Sequence, residues 1–268
     1  MAKTVLVTGA SAGIGKATAI HLAQNGYNVY GAARRTDKMQ DLKIYGIKTI
    51  ALDVTKDDSM VACVEQIFKE AGSIDILVNN AGFGSAGAIE DLPMEDARYQ
   101  LEVNVFGPLR LTQLVLPKMR ENRDGKVVNI SSIGGKVAFP LNGWYHASKF
   151  AIEALSDSLR MEVKQFGIDI IVIEPGGIKS EWAEIANDNM KRISGKTAYK
   201  DIVASAEKAT ANLNLPEPIV IAKLIQEGIE AKNPKTRYVG GFSAKPILMI
   251  RKLLSDKLMD KVILSQMK

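Results

Sequence analysis

Along the first 180 residues, short apolar runs alternate with longer segments of helical period. Runs at 4–8 (Thr-Val-Leu-Val-Thr), 28–33, 48–52, 75–79 (Asp-Ile-Leu-Val-Asn), 126–130 and 168–173 (Ile-Asp-Ile-Ile-Val-Ile), with a later one near 236–240, predict strands. Several are apolar throughout instead of alternating, as a strand buried on both faces of a parallel sheet must be. Apolar residues at helical spacing predict helices over 13–25, 58–71, 95–121 and 146–166. The regular β-α-β order predicts an α/β architecture: a parallel sheet of about seven strands with helices on both faces. No linker or internal repeat interrupts the chain, so its 268 residues read as one domain. Beyond Pro175-Gly176-Gly177 the pattern loosens. Residues 181–214 are polar, helical in propensity and without a strand. On the carboxyl edge of a parallel sheet, where ligands bind, such a segment makes a natural lid, although a plain surface helix pair has the same pattern.

Composition narrows the class. With 46% hydrophobic and 24% charged residues the chain is too apolar for disorder and too mixed for collagen or coiled coil. A single cysteine, Cys63, excludes an intrachain disulfide framework and a cysteine-based zinc site, and two histidines, His21 and His146, exclude a three-histidine metal site. No metal is therefore expected, and a reducing, cytoplasmic setting fits best. The first residues run directly into a strand, with no signal peptide, and no apolar run is long enough to cross a bilayer. The net charge of +5 is local: residues 245–268 carry six basic and two acidic side chains, which leaves +1 for the rest. A general phosphate-binding surface, and with it a nucleic-acid partner, is not expected. The basic tail has apolar residues at 247, 250, 254, 258 and 262, the pattern of one amphipathic helix over 245–268. It could lie on an anionic membrane surface, but such a helix more often packs on its own domain or a neighbouring subunit.

Candidate chemistry begins at Thr8-Gly9-Ala10-Ser11-Ala12-Gly13-Ile14-Gly15, between the first strand and the first helix. Glycines let the backbone approach an anion and a helix N-terminus offers free N–H groups, so this is a phosphate cradle; taken alone, three glycines also suit a tight turn. The second strand ends in Arg34-Arg35, where a carboxylate would meet a bare ribose 2′-hydroxyl. Arginine suits a 2′-phosphate, so Arg34, helped by Arg35 and Ser11, is expected to select NADP(H) over NAD(H). Downstream, Tyr145 and Lys149 are spaced to stack on one helix face. Tyrosine alone, with a pKa of about 10, is a poor base, and a neighbouring ammonium would pull it down. A lone Tyr-x-x-x-Lys is usually just a surface pair.

Here it has company. Thr8-to-Gly15, Asp53-Val54, Asn79-Asn80-Ala81-Gly82, Asn104 in Val-Asn-Val-Phe-Gly, Ser132 in Asn-Ile-Ser-Ser, Tyr145 with Lys149, and Pro175-Gly176 follow one another in an order and spacing that resembles the short-chain dehydrogenase/reductase family over roughly residues 3–180. The surroundings are similar to its steroid- and retinol-dehydrogenase-like branch. The resemblance implies a Rossmann-like doubly wound sheet, a nicotinamide cofactor and a homodimer or homotetramer. It implies Tyr145 as general acid/base and Lys149 lowering its pKa and holding the nicotinamide ribose. Ser132 would bond the substrate oxygen, and Asn104 would fix a water that relays protons to Lys149. Cofactor contacts are implied for Gly9, Ser11, Gly13, Ile14, Gly15, Arg34, Arg35, Asp53, Val54, Asn79, Ala81, Gly82, Tyr145, Lys149, Pro175, Gly176, Ile178 and Ser180. The family usually has threonine at or near the position of Ser180, so that assignment departs from the pattern.

Around the expected carbonyl lie Val137, Phe139, Leu141, Trp144 and Trp182, with Lys136 in reach of an anion. They favour a bulky apolar ketone, aldehyde or alcohol, unless they simply fasten the lid to the body. The reading is thus an NADP(H)-dependent oxidoreductase on a hydrophobic carbonyl/alcohol pair. A non-catalytic NADP(H)-binding regulator on the same fold is the alternative, which the intact Asn104, Ser132, Tyr145 and Lys149 argue against. An isomerase or lyase that uses the nicotinamide transiently would need more chain than is present.

Overall fold

The computed structural model describes residues 2–210 and 213–265. Seven strands, β1 (Thr4–Thr8), β2 (Asn28–Ala33), β3 (Lys48–Ala51), β4 (Ile76–Asn79), β5 (Gly125–Ile130), β6 (Ile168–Pro175) and β7 (Arg237–Gly240), form one parallel sheet in the order β3-β2-β1-β4-β5-β6-β7. The doubly wound architecture is as expected. Strand residues divide between two cores because successive side chains point to opposite faces. Val5 and Val7 join Ala19 and Leu22 of α1 (Gly13–Gln24) and Ile221, Ile225 and Ile229 of a later helix, Ile219–Glu230. Leu6 and Leu77 face the other layer, against Cys63 and Ile67 of α2 (Asp57–Ala71) and Leu111 and Val115 of another helix, Gly107–Asn122. Cys63 is the core residue its periodicity suggests, and burial pushes its thiol up to about 12.

The helix expected over 95–121 is divided. α3 (Met94–Leu101) passes through a wide π turn at Glu102–Phe106 into α4 (Gly107–Asn122). Asn104 sits in that turn and is fully buried, and the turn aims its amide at the loop after β4. A π turn of this kind often marks a functional position. The helix expected from 146 starts earlier: α5 (Gly143–Val163) takes Tyr145 into its first turn.

After β6 come α6 (Glu181–Ser194), α7 (Lys200–Thr210) and α8 (Ile219–Glu230). α6 and α7 form a small separate core in which Ala186, Met190 and Val203 meet Ala86, Ala88 and Leu141. The expected segment 181–214 is thus a helix pair, with 211–212 outside the described residues.

The single tail helix expected over 245–268 is two helices, α9 (Ala244–Leu253) and α10 (Asp256–Ser265), with 266–268 outside the described residues. Leu254 is extended, and the Ser255 carbonyl accepts the first bonds of α10 from Leu258 and Met259. Serine followed by aspartate is a strong helix start. The break shifts the phase of the apolar stripe: Ile247, Ile250 and Leu254 are half-buried, but in α10 Met259 turns inward and Leu258 and Val262 outward. No helix among the described residues is long and apolar enough to cross a membrane.

Candidate active site

The carboxyl ends of the strands carry the chemistry. The strand order reverses between β1 and β4, opening a crevice outside those ends. At β1 the chain turns sharply: Gly9 has φ +68° and Gly13 φ +53°, in the left-handed region. A side chain on Gly15 would lie 2.4 Å from the Gly9 carbonyl oxygen, so only glycine closes the loop this tightly. Ala12 precedes α1 in an extended conformation with no side-chain cap, and the first turn of α1 has no acidic residue. Its N–H groups are therefore open to an anion, the property a pyrophosphate site needs. The residues fit a dinucleotide.

Sequence reasoning missed what holds this loop. The Thr8 hydroxyl accepts from the Asn80 and Ala81 N–H groups at 3.0 and 2.9 Å, and the Asn80 amide donates to the Thr8 carbonyl at 2.9 Å. Asn79 differs from expectation. Its amide is buried and donates to Asn129 at 2.9 Å and Thr112 at 3.1 Å, away from the crevice. It fastens β4 to β5 and α4 because an amide buried in the sheet must find partners there. Gly82 leaves space: a side chain there would stand 3.3 Å from the Asn104 Oδ1.

The arginines diverge. Arg35 donates to the Ser11 hydroxyl at 3.3 Å and to Glu181 at 3.1 Å, on the open side of the glycine loop. Arg34 turns the other way and donates to the Tyr99 hydroxyl at 2.5 Å. Arg35, rather than Arg34, shares Ser11 and the loop. Asp53 folds on its own turn, accepting from the Thr55 N–H at 3.0 Å and its hydroxyl at 2.8 Å. Burial pushes the Asp53 carboxyl up, but those two bonds and the Arg34 charge outweigh it and hold it below the usual range. Val54 is buried against Gly107. Ile14 is half-buried beside the sheet core, and Ile178 lies within it. Gly176 bonds β7 through its N–H at 2.8 Å, and Ser180 stands opposite Gly13, 3.5 Å from where a Gly13 side chain would be.

At the other end of the crevice Ser132, Tyr145 and Lys149 come together. Ser132 accepts from the Gly134 N–H at 3.0 Å, and its hydroxyl faces the Pro175 carbonyl at 3.4 Å. The Tyr145 ring is half-buried, with its centroid 4.9 Å from the Trp182 ring. Burial pushes the Tyr145 phenol above its usual range and the hydrogen bond with Ser132 pulls against this. The expected lowering by Lys149 is thus not the net effect here, since desolvation wins. Lys149 is buried, donates to the Ile130 carbonyl at 2.8 Å and stands 5.7 Å from the Tyr145 ring centre. Burial pulls its pKa down to about 8, and the Glu153 charge opposes the fall.

Asn104 donates to the Phe83 carbonyl at 2.9 Å and the Ser148 hydroxyl at 3.0 Å, and accepts from the Phe83 N–H at 2.9 Å. Its side chain thus holds the loop after β4 to α5. His146, to which the sequence assigned no role, bridges the loop before α5. Its Nε2 accepts from the Phe139 N–H at 2.9 Å, so Nδ1 carries the proton it donates to the Gly134 carbonyl at 3.0 Å. Burial, against those two bonds, lowers its pKa and keeps the ring neutral.

Behind Lys149, Glu153 is held by Lys136 at 2.8 Å and Arg237 at 2.9 Å. Lys136 is therefore tied inward. Leu141 packs under α6 and α7, where the sequence had placed it in a substrate pocket or in this fastening role. Trp182 is left against Tyr145, and Phe139 packs on His146, with ring centroids 5.6 Å apart, one residue along the helix.

With this geometry in place, comparisons place the chain among known proteins. Residues 3–191 match the short chain dehydrogenase family. A 3-ketodihydrosphingosine reductase of Bacteroides thetaiotaomicron is 40% identical over 192 residues, 72% of this chain and 69% of that one. An NADPH-dependent 3-dehydrocapnine reductase of Ornithobacterium rhinotracheale is 36% identical over 284 aligned positions, covering 98% of this chain and 96% of its own. A short-chain dehydrogenase structure from Streptomyces avermitilis matches with a TM-score of 0.83 at 33% identity, over 98% of this chain and 95% of that one.

Proposed function

The chain belongs to the short-chain dehydrogenase family, and we propose that within this family of oxidoreductases it is an NADP(H)-dependent reductase of a hydrophobic ketone, with Tyr145 as the proton donor. The observation that carries the reading is the convergence of Ser132, Tyr145 and Lys149 at one end of a crevice whose other end is an uncapped helix N-terminus beside Arg35. Bound nicotinamide supplies the hydride acceptor or donor. The chain's own residues do the rest. Ser132 bonds the substrate oxygen, Tyr145 delivers a proton to it, and Lys149 stabilises the phenolate left behind and holds the ribose. α6 and α7 cover the site as a lid, with Trp182 over Tyr145. Gly9, Gly13, Gly15 and the first turn of α1 hold the pyrophosphate, Asp53 and Val54 the adenine, and Pro175, Gly176, Ile178 and Ser180 the nicotinamide side.

For substrate, both curated relatives are named as reductases of a 3-oxo compound, one of them a sphingosine derivative. A long-chain 3-oxo amino alcohol suits the aromatic surroundings of Tyr145, and it is the first compound to test. NADPH oxidation on 3-ketodihydrosphingosine, set beside short polar ketones, gives turnover on the former alone. Turnover confined to the short polar ketones retires the hydrophobic reading. Exposed Phe106, Phe150 and Met161 around α4 and α5 support a homo-oligomer.

Cofactor choice rests on Arg35. Arg35→Ala is expected to weaken NADPH binding by about 10- to 100-fold, the loss of charge-assisted bonds to a phosphate, with NADH affinity unchanged. Titration of protein fluorescence with each nucleotide reads this directly. An equal loss for both nucleotides would remove Arg35 from the selection.

A further inference from the structure

The open side of the glycine loop is a cleft of about 580 Å³, lined by Ser11, Gly13, Lys16, Lys38, Asp41 and Glu181. Five of these come from the sheet end of the chain. Glu181 does not: it is the first residue of α6, 146 positions from Arg35. One of its oxygens accepts from Arg35 at 3.1 Å and the other from Lys38 at 3.2 Å. Arg35 reaches the Ser11 hydroxyl with its second nitrogen. The Lys38 and Arg35 bonds hold the Glu181 carboxyl below the usual range, so it is fully ionised near neutral pH. The other acids at the cleft differ in kind. Asp41 is paired with Lys16 of α1 at 2.7 Å, and Asp37 and Asp41 belong to the same short segment as Lys38, so neither brings α6 to the loop.

The next residue is Trp182. Its ring lies 4.9 Å from that of Tyr145 and so close to Gly84 that a side chain there would come within 2.4 Å of it. Ser180 gives the first turn of α6 no side-chain cap. The ion pairs of Glu181 and the packing of Trp182 hold this turn on the side of the glycine loop and Tyr145, while Lys179 just before it bonds the Pro216 carbonyl and Ala186 and Met190 hold the rest of α6 in its own core. A phosphate dianion on Arg35 would share its cation with the Glu181 carboxylate, and the two anions repel at that distance.

We propose that Glu181 is an internal competitor for the cofactor's 2′-phosphate: it fastens the first turn of α6 to the cations that select NADP(H), so that a 2′-phosphorylated nucleotide frees that turn, and Trp182 with it, from Tyr145, whereas a nucleotide with a bare 2′-hydroxyl does not. This rests on the reading of Arg35 as the residue that meets the phosphate. One contact then does two things. It sets the threshold for the phosphorylated cofactor, and it makes uncovering of Tyr145 depend on which cofactor is bound.

The experiment uses the full chain and two probes, 2′,5′-ADP and 5′-AMP, which differ only in the 2′-phosphate. By calorimetry, Glu181→Gln strengthens 2′,5′-ADP binding about two- to fivefold, the scale of an exposed ion pair, and leaves 5′-AMP unchanged. Glu181 is half exposed, so the variant keeps the fold, and an unaltered melting curve verifies this. By hydrogen exchange, 2′,5′-ADP speeds exchange of amides 185–188, which bond back to the first turn of α6, and 5′-AMP does not. In Glu181→Gln those amides exchange fast without any nucleotide. A 2′,5′-ADP affinity that is unchanged or weaker in the variant overturns the proposal, as does equal protection of 185–188 with either probe. If wild-type protein shows no preference for 2′,5′-ADP, the NADP(H) reading falls and the proposal with it. A wild-type preference that Glu181→Gln does not alter overturns the proposal alone.

Discussion

Tyr145→Phe is expected to lower turnover by about 10²- to 10⁴-fold, the usual contribution of a positioned acid, while the melting temperature and NADPH affinity stay close to those of the unaltered protein. Only one oxygen is lost. The ring that remains still packs on Trp182 and on the edge of His146. The environment of that oxygen also sets a direction. Burial raises the phenol above its usual range against the pull of Ser132, so near neutral pH Tyr145 holds its proton. A protonated phenol is what reduction needs and what oxidation must first lose. The reductive rate should therefore be flat through neutral pH and fall only in alkali, while the oxidative rate climbs with pH over the same range. Rate profiles in both directions check this. An oxidative rate that peaks in mild acid would contradict the assignment, and so would a Phe variant with more than a tenth of the original turnover.

The sheet was legible because its strands are buried on both faces, and that condition leaves continuous apolar runs such as Val5-Leu6-Val7 and Ile170-Ile171-Val172-Ile173. The site was legible to the extent that local spacing carries it: Tyr145 and Lys149 share a helix face whatever lies around them. What stayed hidden depends on partners far along the chain. The π turn that divides the helix over 95–121 serves bonds from Asn104 to Phe83, 21 positions away, and nothing in the local period signals it. Asn79 sits in a motif that suggests a cofactor contact, yet its amide nitrogen donates to Thr112 of α4 and Asn129 of β5, partners 33 and 50 positions along the chain. Arg34 and Arg35 are neighbours with the same charge, and only the third dimension sends one to Tyr99 and the other to Ser11. Glu181 has no local signature at all. Its position as the first residue of a helix would explain an acidic side chain by itself.

Lys149→Met should separate function from stability. Removing an ammonium from beside the phenolate is expected to lower turnover by about 10²- to 10³-fold. At the same time the variant should melt at least as high as the original protein at pH 7, because Lys149 is a cation held in the interior by one carbonyl and a distant carboxylate. The pH dependence follows from its pKa, pulled down to about 8 in the folded protein from 10.5. Below about pH 8 both the folded and the unfolded chain keep the proton, and the charged lysine costs the folded state a net penalty on the order of 3 kcal/mol relative to its neutral form. Between about pH 8 and 10.5 the folded protein gives up the proton while the unfolded chain still binds it, so folding gains stability as pH rises. Above that both are neutral. The melting-temperature gap between the Met variant and the original protein is therefore widest near neutrality and closes across that alkaline window. Thermal melts at intervals from pH 6 to 10.5 measure it. A Met variant that is less stable at pH 7, or a gap that does not change with pH, would mean that Lys149 is held as a favourable structural cation. A lysine of that kind would not need a catalytic role to explain its place beneath Tyr145, whereas one that destabilises the fold it sits in does.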